Sequence, residues 1–168
     1  MATQQSFDVT TGVELQEVDN AVNQAVKEIR QRFDFKGQVA DIELRRDEGA
    51  LTLRASDEFH LRSMWDVLLG KLVKRKVPTK NLKPSEIDPA AGGTVRMEVT
   101  LQQGLPQEVS RRIVKIIKDN KLKKVQASIQ GDQVRIASPS RDALQEVIAI
   151  LRAEEFDLEL QFTNFRSQ

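Results

Sequence analysis

The chain has 168 residues, enough for one ordinary domain or two small ones, and no cysteine, which excludes disulfides, thiolate chemistry and cysteine-ligated zinc. Charged residues make up 30% of it but cancel to a net charge of +1, so a nucleic-acid or phosphate site has to be a local patch. No apolar run approaches the roughly 20 residues of a membrane span, and the N-terminus lacks a basic segment followed by an apolar core. A soluble cytoplasmic protein with no membrane partner is the expectation.

Residues 5–11 alternate, with Phe7 and Val9 on one face and Ser6, Asp8 and Thr10 on the other, as in a half-buried strand. From Leu15 the period changes. Leu15, Val18, Val22, Val26, Ile29 and Phe33 recur at spacings of three and four, the stripe of a core-facing helix, and Gly37 marks its exit. Residues 39–45 put Ala40, Ile42 and Leu44 on one face, residues 50–55 put Leu51 and Leu53 together, and the two runs read as a hairpin. Ser56-Asp57 caps a helix that buries Leu61, Met64, Trp65, Leu68 and Leu72, ends in a basic cluster and is stopped by Pro78. Residues 79–84 leave room for a short edge strand, and Pro84, Pro89, Gly92 and Gly93 give the linker-like composition.

The second half restates this order. Residues 94–101 alternate, Gly104 follows, and Gln107-Glu108-Val109 opens a helix, as Gly12 and Gln16-Glu17-Val18 do in the first half. Val109, Ile113, Ile116 and Ile117 form its stripe. A hairpin (125–130 and 133–137) turns at Gly131-Asp132, Ser140 caps a helix with Leu144, Val147, Ile148 and Leu151 inward, and a last strand puts Leu158, Leu160 and Phe162 on one face. Each half therefore reads strand–helix–strand–strand–helix–strand. The fold class is α+β: two ferredoxin-like (βαββαβ) domains, each an antiparallel four-stranded sheet with two helices on one face and the other face open.

Several runs carry a family resemblance: Ser6-Phe7-Asp8-Val9, Arg32-Phe33-Asp34-Phe35-Lys36, residues 115–136, Arg141-Asp142-Ala143-Leu144-Gln145 and Phe162-Thr163-Asn164-Phe165-Arg166. In order and over nearly the whole chain they resemble the YajQ family of bacterial proteins. The resemblance implies tandem ferredoxin-like domains, also described as ribonucleoprotein-like, that exchange their first strands. Residues 14–93 with strand 94–103 would form one domain, and 1–13 with 104–168 the other. It also implies a non-enzymatic nucleotide-binding protein, a receptor for cyclic di-GMP or a GTP-like guanine nucleotide that influences gene expression. RNA binding is suggested by the fold. One departure stands out: the family often has Gly-Lys before the last helix, where this chain has Ser138-Pro139-Ser140, so a basic contact is missing.

Residue chemistry points to binding rather than catalysis. The single histidine, His60, has no evident partner in the sequence and is expected to be an exposed bystander rather than a general base. Clustered metal ligands and phosphate loops are absent from the sequence, so no cofactor or metal is expected. If the apolar strand residues face the helices, Thr52, Arg54, Arg96, Glu98 and Arg135 lie on the open faces. There the arginine forks suit phosphate, or simply balance acids such as Glu98 and Asp8. The middle strands offer no aromatic residue there, so bases of single-stranded RNA are not expected to stack on the sheet. A second basic group, with Lys115, Lys118, Lys121, Lys123 and Lys124 beside Arg111 and Arg112, either complements a helix end or faces phosphate. Phe33, Phe35, Phe162 and Phe165 flank Arg32, Lys36 and Arg166, an arrangement for stacking a guanine and clamping its phosphate, or for core packing. The candidate ligand residues are thus Arg54, Arg96, Arg135, Arg32, Lys36, Lys118, Lys121 and Arg166, on the open sheet faces or in a groove between domains. A protein-interaction module docking partners on those faces is the alternative.

Overall fold

The change of period from two to 3.6 and back produces two antiparallel sheets, each with one face under a pair of helices. A computed structural model describes residues 4–167. In chain order the elements are β1 (Gln5–Thr10), α1 (Leu15–Gln31), β2 (Ala40–Arg45), β3 (Ala50–Ala55), α2 (Glu58–Lys74), β4 (Leu82–Pro84), β5 (Asp88–Pro89) and β6 (Val95–Leu101). They continue as α3 (Gln107–Asp119), β7 (Gln126–Gln130), β8 (Gln133–Ser138), α4 (Arg141–Ala153) and β9 (Gln161–Ser167).

One sheet has the order β7-β8-β1-β9 and the other β2-β3-β6-β4, with the two-residue β5 also paired to β6. The strand exchange is visible in the pairing. β1 inserts between β8 and β9, with Phe7 opposite Ile136 and Val9 opposite Val134. β6 pairs with β3, with Met97 opposite Leu53 and Val99 opposite Leu51. The chain accordingly divides into two compact units, one of Gly12–Gln103, the other of the residues up to Thr11 together with the chain from Gly104 onward.

The α1/α2 unit buries Val18, Val22 and Ile29 of α1 and Leu61, Met64, Leu68 and Leu72 of α2 against Leu51, Leu53, Met97 and Val99. The α3/α4 unit buries Val109, Ile113, Ile117, Leu144, Val147 and Leu151 against Phe7, Val9, Val134 and Ile136. Local chemistry fixes the helix starts. The Asp57 side chain accepts from the His60 amide, and the Ser140 side chain accepts from the Ala143 amide, each satisfying an orphan donor of the first turn. The capping residue of α2 is thus Asp57, not Ser56.

Four details differ from the periodicity. α1 ends at Gln31 because Arg32 turns extended (φ −82°, ψ 133°), so the stripe does not carry through to Phe33. Phe33 is 88% exposed, and a short 3-10 turn sends Phe35 into the core instead. α2 closes before Pro78: Lys76 takes a left-handed conformation (φ 61°), and the Val77 amide bonds the Leu72 carbonyl. Leu158 is buried but precedes β9, which starts only at Gln161. The α1/α2 sheet gains a fifth, two-residue strand from the Pro-rich linker. Among the described residues no helix is long and apolar enough to cross a membrane.

Candidate functional site

Alternation sends Asp8 of the central strand β1 to the sheet face opposite Phe7 and Val9, where a lone carboxylate would stay solvated. Instead its side chain is only 4% exposed. The cross-strand neighbour in register is Arg135, whose Nε donates to Asp8 Oδ1 at 3.0 Å. From β9, Asn164 Nδ2 donates to Oδ2 at 2.7 Å, and Arg166 Nη2 reaches both oxygens at 3.3 and 3.4 Å. Asn164 reaches inward because the β1–β9 register shifts between Ser6 and Asp8 and Asn164 itself is left-handed (φ 58°), the geometry of a bulge that re-aims a side chain. Burial alone would push the Asp8 carboxyl up. The hydrogen bonds from Asn164 and Arg135 and the charges of Arg135 and Arg166 outweigh it and hold the group below its ordinary value.

This network orients Arg135. Its Nε is engaged, while its terminal nitrogens make no hydrogen bond among the described residues. Arg135 then lines a cleft of about 670 Å³ together with Lys118 and Lys121, walled by Val114, Ile117, Leu122 and Val125 and edged by Gln126 and Ser128. Both lysines are exposed and without a side-chain partner among the described residues. Lys118 lies in the last turn of α3, where a cation complements the helix dipole. Lys121 lies beyond the helix in a left-handed conformation (φ 50°), a region where a side chain costs about 1 kcal/mol or more. The neighbouring Arg112 is committed elsewhere, to the Glu155 carbonyl at 2.6 Å and over the Phe156 ring at 4.1 Å.

In the α1/α2 unit, Arg54 and Arg96 stand directly opposite one another on β3 and β6. Arg54 donates to Thr94 Oγ1 at 3.1 Å and the Ala91 carbonyl at 3.4 Å, whereas the Arg96 side chain has no hydrogen bond or ion pair among the described residues. Acids flank the pair in register, Asp41 beside Arg54 and Asp88 beside Arg96. Arg45 pairs with Glu98 and with Glu48, the latter at 2.8 Å. The face is therefore a mixed checkerboard rather than an arginine surface, and its cleft, about 340 Å³, includes Glu43 beside Arg45, Arg54 and Arg96.

The remaining candidates fall at two other places. Arg32 is bidentate to Asp34 (3.0 and 2.8 Å) and sits over the buried Phe35 ring at 5.4 Å, while Lys36 is exposed. Phe162 and Phe165 both pack on Phe7, with centroids 5.9 and 5.5 Å away, so they belong to the α3/α4 core and its rim. Beside Phe165, Arg166 and Arg141 line a smaller cleft of about 460 Å³ at the start of α4, with Arg141 directly after the capping Ser140.

His60 corrects its sequence reading. It is not a bystander: Nδ1 meets both Asp57 carboxylate oxygens at 2.9 Å, Nε2 meets the Asp34 carbonyl at 3.0 Å, and the ring packs edge-on against Phe35 and Phe59. Both neighbours are acceptors, so the ring satisfies both only as imidazolium. The Asp57 hydrogen bond is the main cause raising its pKa above the ordinary histidine value. With both nitrogens engaged, the ring offers no free lone pair for general-base work. The Asp8 network is the feature of the β1 sheet face that periodicity does not reveal, because its partners lie far away in sequence. No group of metal-ligating side chains occurs among the described residues.

Comparison with known proteins gives a consistent picture. The profile of a family described as nucleotide-binding protein YajQ-like matches residues 5–166. A nucleotide-binding protein of Koribacter versatilis (strain Ellin345) is 52% identical over 162 residues, covering 96% of this chain and 97% of the relative. One of Solibacter usitatus (strain Ellin6076) is 52% identical over the same coverage. A third, of Heliobacterium modesticaldum (strain ATCC 51547 / Ice1), is 50% identical over 167 residues, 99% of this chain and all of the relative.

Proposed function

The chain belongs to the YajQ family, and from that membership together with the cleft geometry we propose that it is a non-enzymatic nucleotide-binding protein whose ligand occupies the α3–β7 cleft. One observation carries the placement: Lys118, Lys121 and Arg135, distant or differently placed in the sequence, line the same cleft. Its volume falls within the roughly 300–1,000 Å³ typical of small-molecule sites. The apolar wall suits the plane of a base, Gln126 and Ser128 offer polar groups to its edge, and the three cations suit phosphate. Arg135, held through Nε by Asp8, keeps its terminal fork for two parallel bonds to phosphate oxygens. The ligand the resemblance points to is cyclic di-GMP, whose two phosphodiesters match a cluster of three cations, and gene expression is the process it would influence.

Calorimetric titration with cyclic di-GMP, GTP and a short single-stranded RNA at low salt tests this. The expected result is binding of a guanine nucleotide, weakened roughly tenfold or more by Lys118→Glu/Lys121→Glu, with affinity falling linearly in log salt. No heat with any nucleotide, or an affinity indifferent to that double substitution, ends the reading. An interaction module away from the open sheet faces first considered for it is favoured by one observation, the 88% and 70% exposed rings of Phe33 and Phe59 beside the His60 corner. Association with a protein partner or a second copy of the chain that survives the lysine substitutions but is lost with Phe33→Ser/Phe59→Ser would establish it instead.

A further inference from the structure

The duplication places a counterpart of this cleft in the other unit. Gln16-Glu17-Val18 and Gln107-Glu108-Val109 open α1 and α3 at an offset of 91 residues. At the same offset Lys27 corresponds to Lys118, Arg30 to Lys121 and Val26 to Ile117. Lys27, Arg30 and Val26 line a cleft of about 640 Å³ between α1 and the edge strand β2, close in size to the 670 Å³ of the first. Lys27 and Arg30 are exposed and have no side-chain hydrogen bond or ion pair among the described residues. Glu28, the nearest acid on the same helix, is taken by Lys71 at 2.9 Å. Two like charges one turn apart repel by a few tenths of a kcal/mol, a cost that a bound anion between them removes.

The two clefts differ in charge. Where the first adds Arg135, the second includes Asp41 on β2, leaving two cations against one acid. Val22, Val26, Ala40 and Ile42 supply apolar surface and Asn23 and Gln31 polar edges. We propose that the α1–β2 cleft is a second, weaker nucleotide site suited to a singly phosphorylated nucleotide, so that each chain holds two ligand molecules. This rests on the reading of the α3–β7 cleft as a nucleotide site, of which it is the repeat.

Equilibrium dialysis against GMP at low salt tests it. The wild type is expected to retain two GMP per chain, Lys27→Glu/Arg30→Glu one, and Lys118→Glu/Lys121→Glu one, the survivor in the last case being the weaker. All four residues are exposed, and circular dichroism checks that each variant keeps its fold. One GMP per chain, lost with Lys118→Glu/Lys121→Glu and untouched by Lys27→Glu/Arg30→Glu, overturns the second site and leaves the first. Two GMP in both wild type and Lys27→Glu/Arg30→Glu also overturns it. A chain that binds cyclic di-GMP or GTP but retains no GMP overturns the second site alone, and a chain that retains no nucleotide of any kind overturns the underlying reading as well.

Discussion

Replacing Asp8 by asparagine keeps the shape of the side chain and removes its charge. In the wild type the carboxylate accepts two short bonds, from Asn164 at 2.7 Å and Arg135 at 3.0 Å, and longer ones from Arg166. Charge-assisted bonds contribute about 1.5–3 kcal/mol each, so the two short ones set a ceiling of roughly 6 kcal/mol. An amide keeps one acceptor oxygen and spares the burial of a charge, while Arg135 and Arg166, each about one-third exposed, recover hydration. The expected loss is therefore about 2–3 kcal/mol, a drop of roughly 1–2 M in the urea midpoint. A double-mutant cycle with Arg135→Gln should show a coupling of at least about 1 kcal/mol. The pH dependence has a definite sign: the folded carboxyl lies below its ordinary value, so its contribution is full above about pH 4 and is lost as pH falls through the folded value. A midpoint unchanged within about 0.5 kcal/mol, together with a wild-type acid limb in the variant, would refute the Asp8 network.

Two further outcomes follow from the same structure. The folded His60 has a raised pKa, so its contribution is full below about pH 6.5 and is lost as pH rises through the folded value. Urea unfolding should show greater stability at pH 5.5 than at 8.5, a difference that His60→Gln abolishes, and an equal difference in the variant would contradict an imidazolium held between Asp57 and the Asp34 carbonyl. Gly104 sits at φ 76° with an added Cβ colliding with the Asp132 side chain, so Gly104→Ala should cost more than about 1 kcal/mol, whereas Gly70→Ala, inside α2 with open space at its Cβ, should not destabilise in thermal unfolding.

The architecture is legible in the sequence wherever burial is one-sided. Val18, Val22 and Ile29, or Leu53 and Met97, alternate with polar residues because each element has a single buried face. Phe33 is illegible because the extended backbone at Arg32 breaks the period without a glycine or proline to announce it. At the site, Lys118 and Lys121 are visible as neighbours on one helix end. That Arg135 lines the same cleft depends on the β7–β8 register that puts Ser128 opposite Arg135. The Asp8 network depends on contacts up to 158 residues apart, which no local pattern encodes. His60 looks solitary for the same reason, since its second acceptor, the Asp34 carbonyl, is a backbone group 26 residues away. Lys27 and Arg30 are legible only once the repeat is followed residue by residue.

Amide chemical-shift mapping of the labelled full chain with cyclic di-GMP is the sharpest test of whether the nucleotide occupies the α3–β7 cleft. Shifts are expected to concentrate at 114–128 and 133–137, the Arg135 amide among them, with a smaller response along 22–31 and 40–42. Shifts confined to β3 and β6 around Arg54 and Arg96, with the lysine-bearing end of α3 silent, would contradict it.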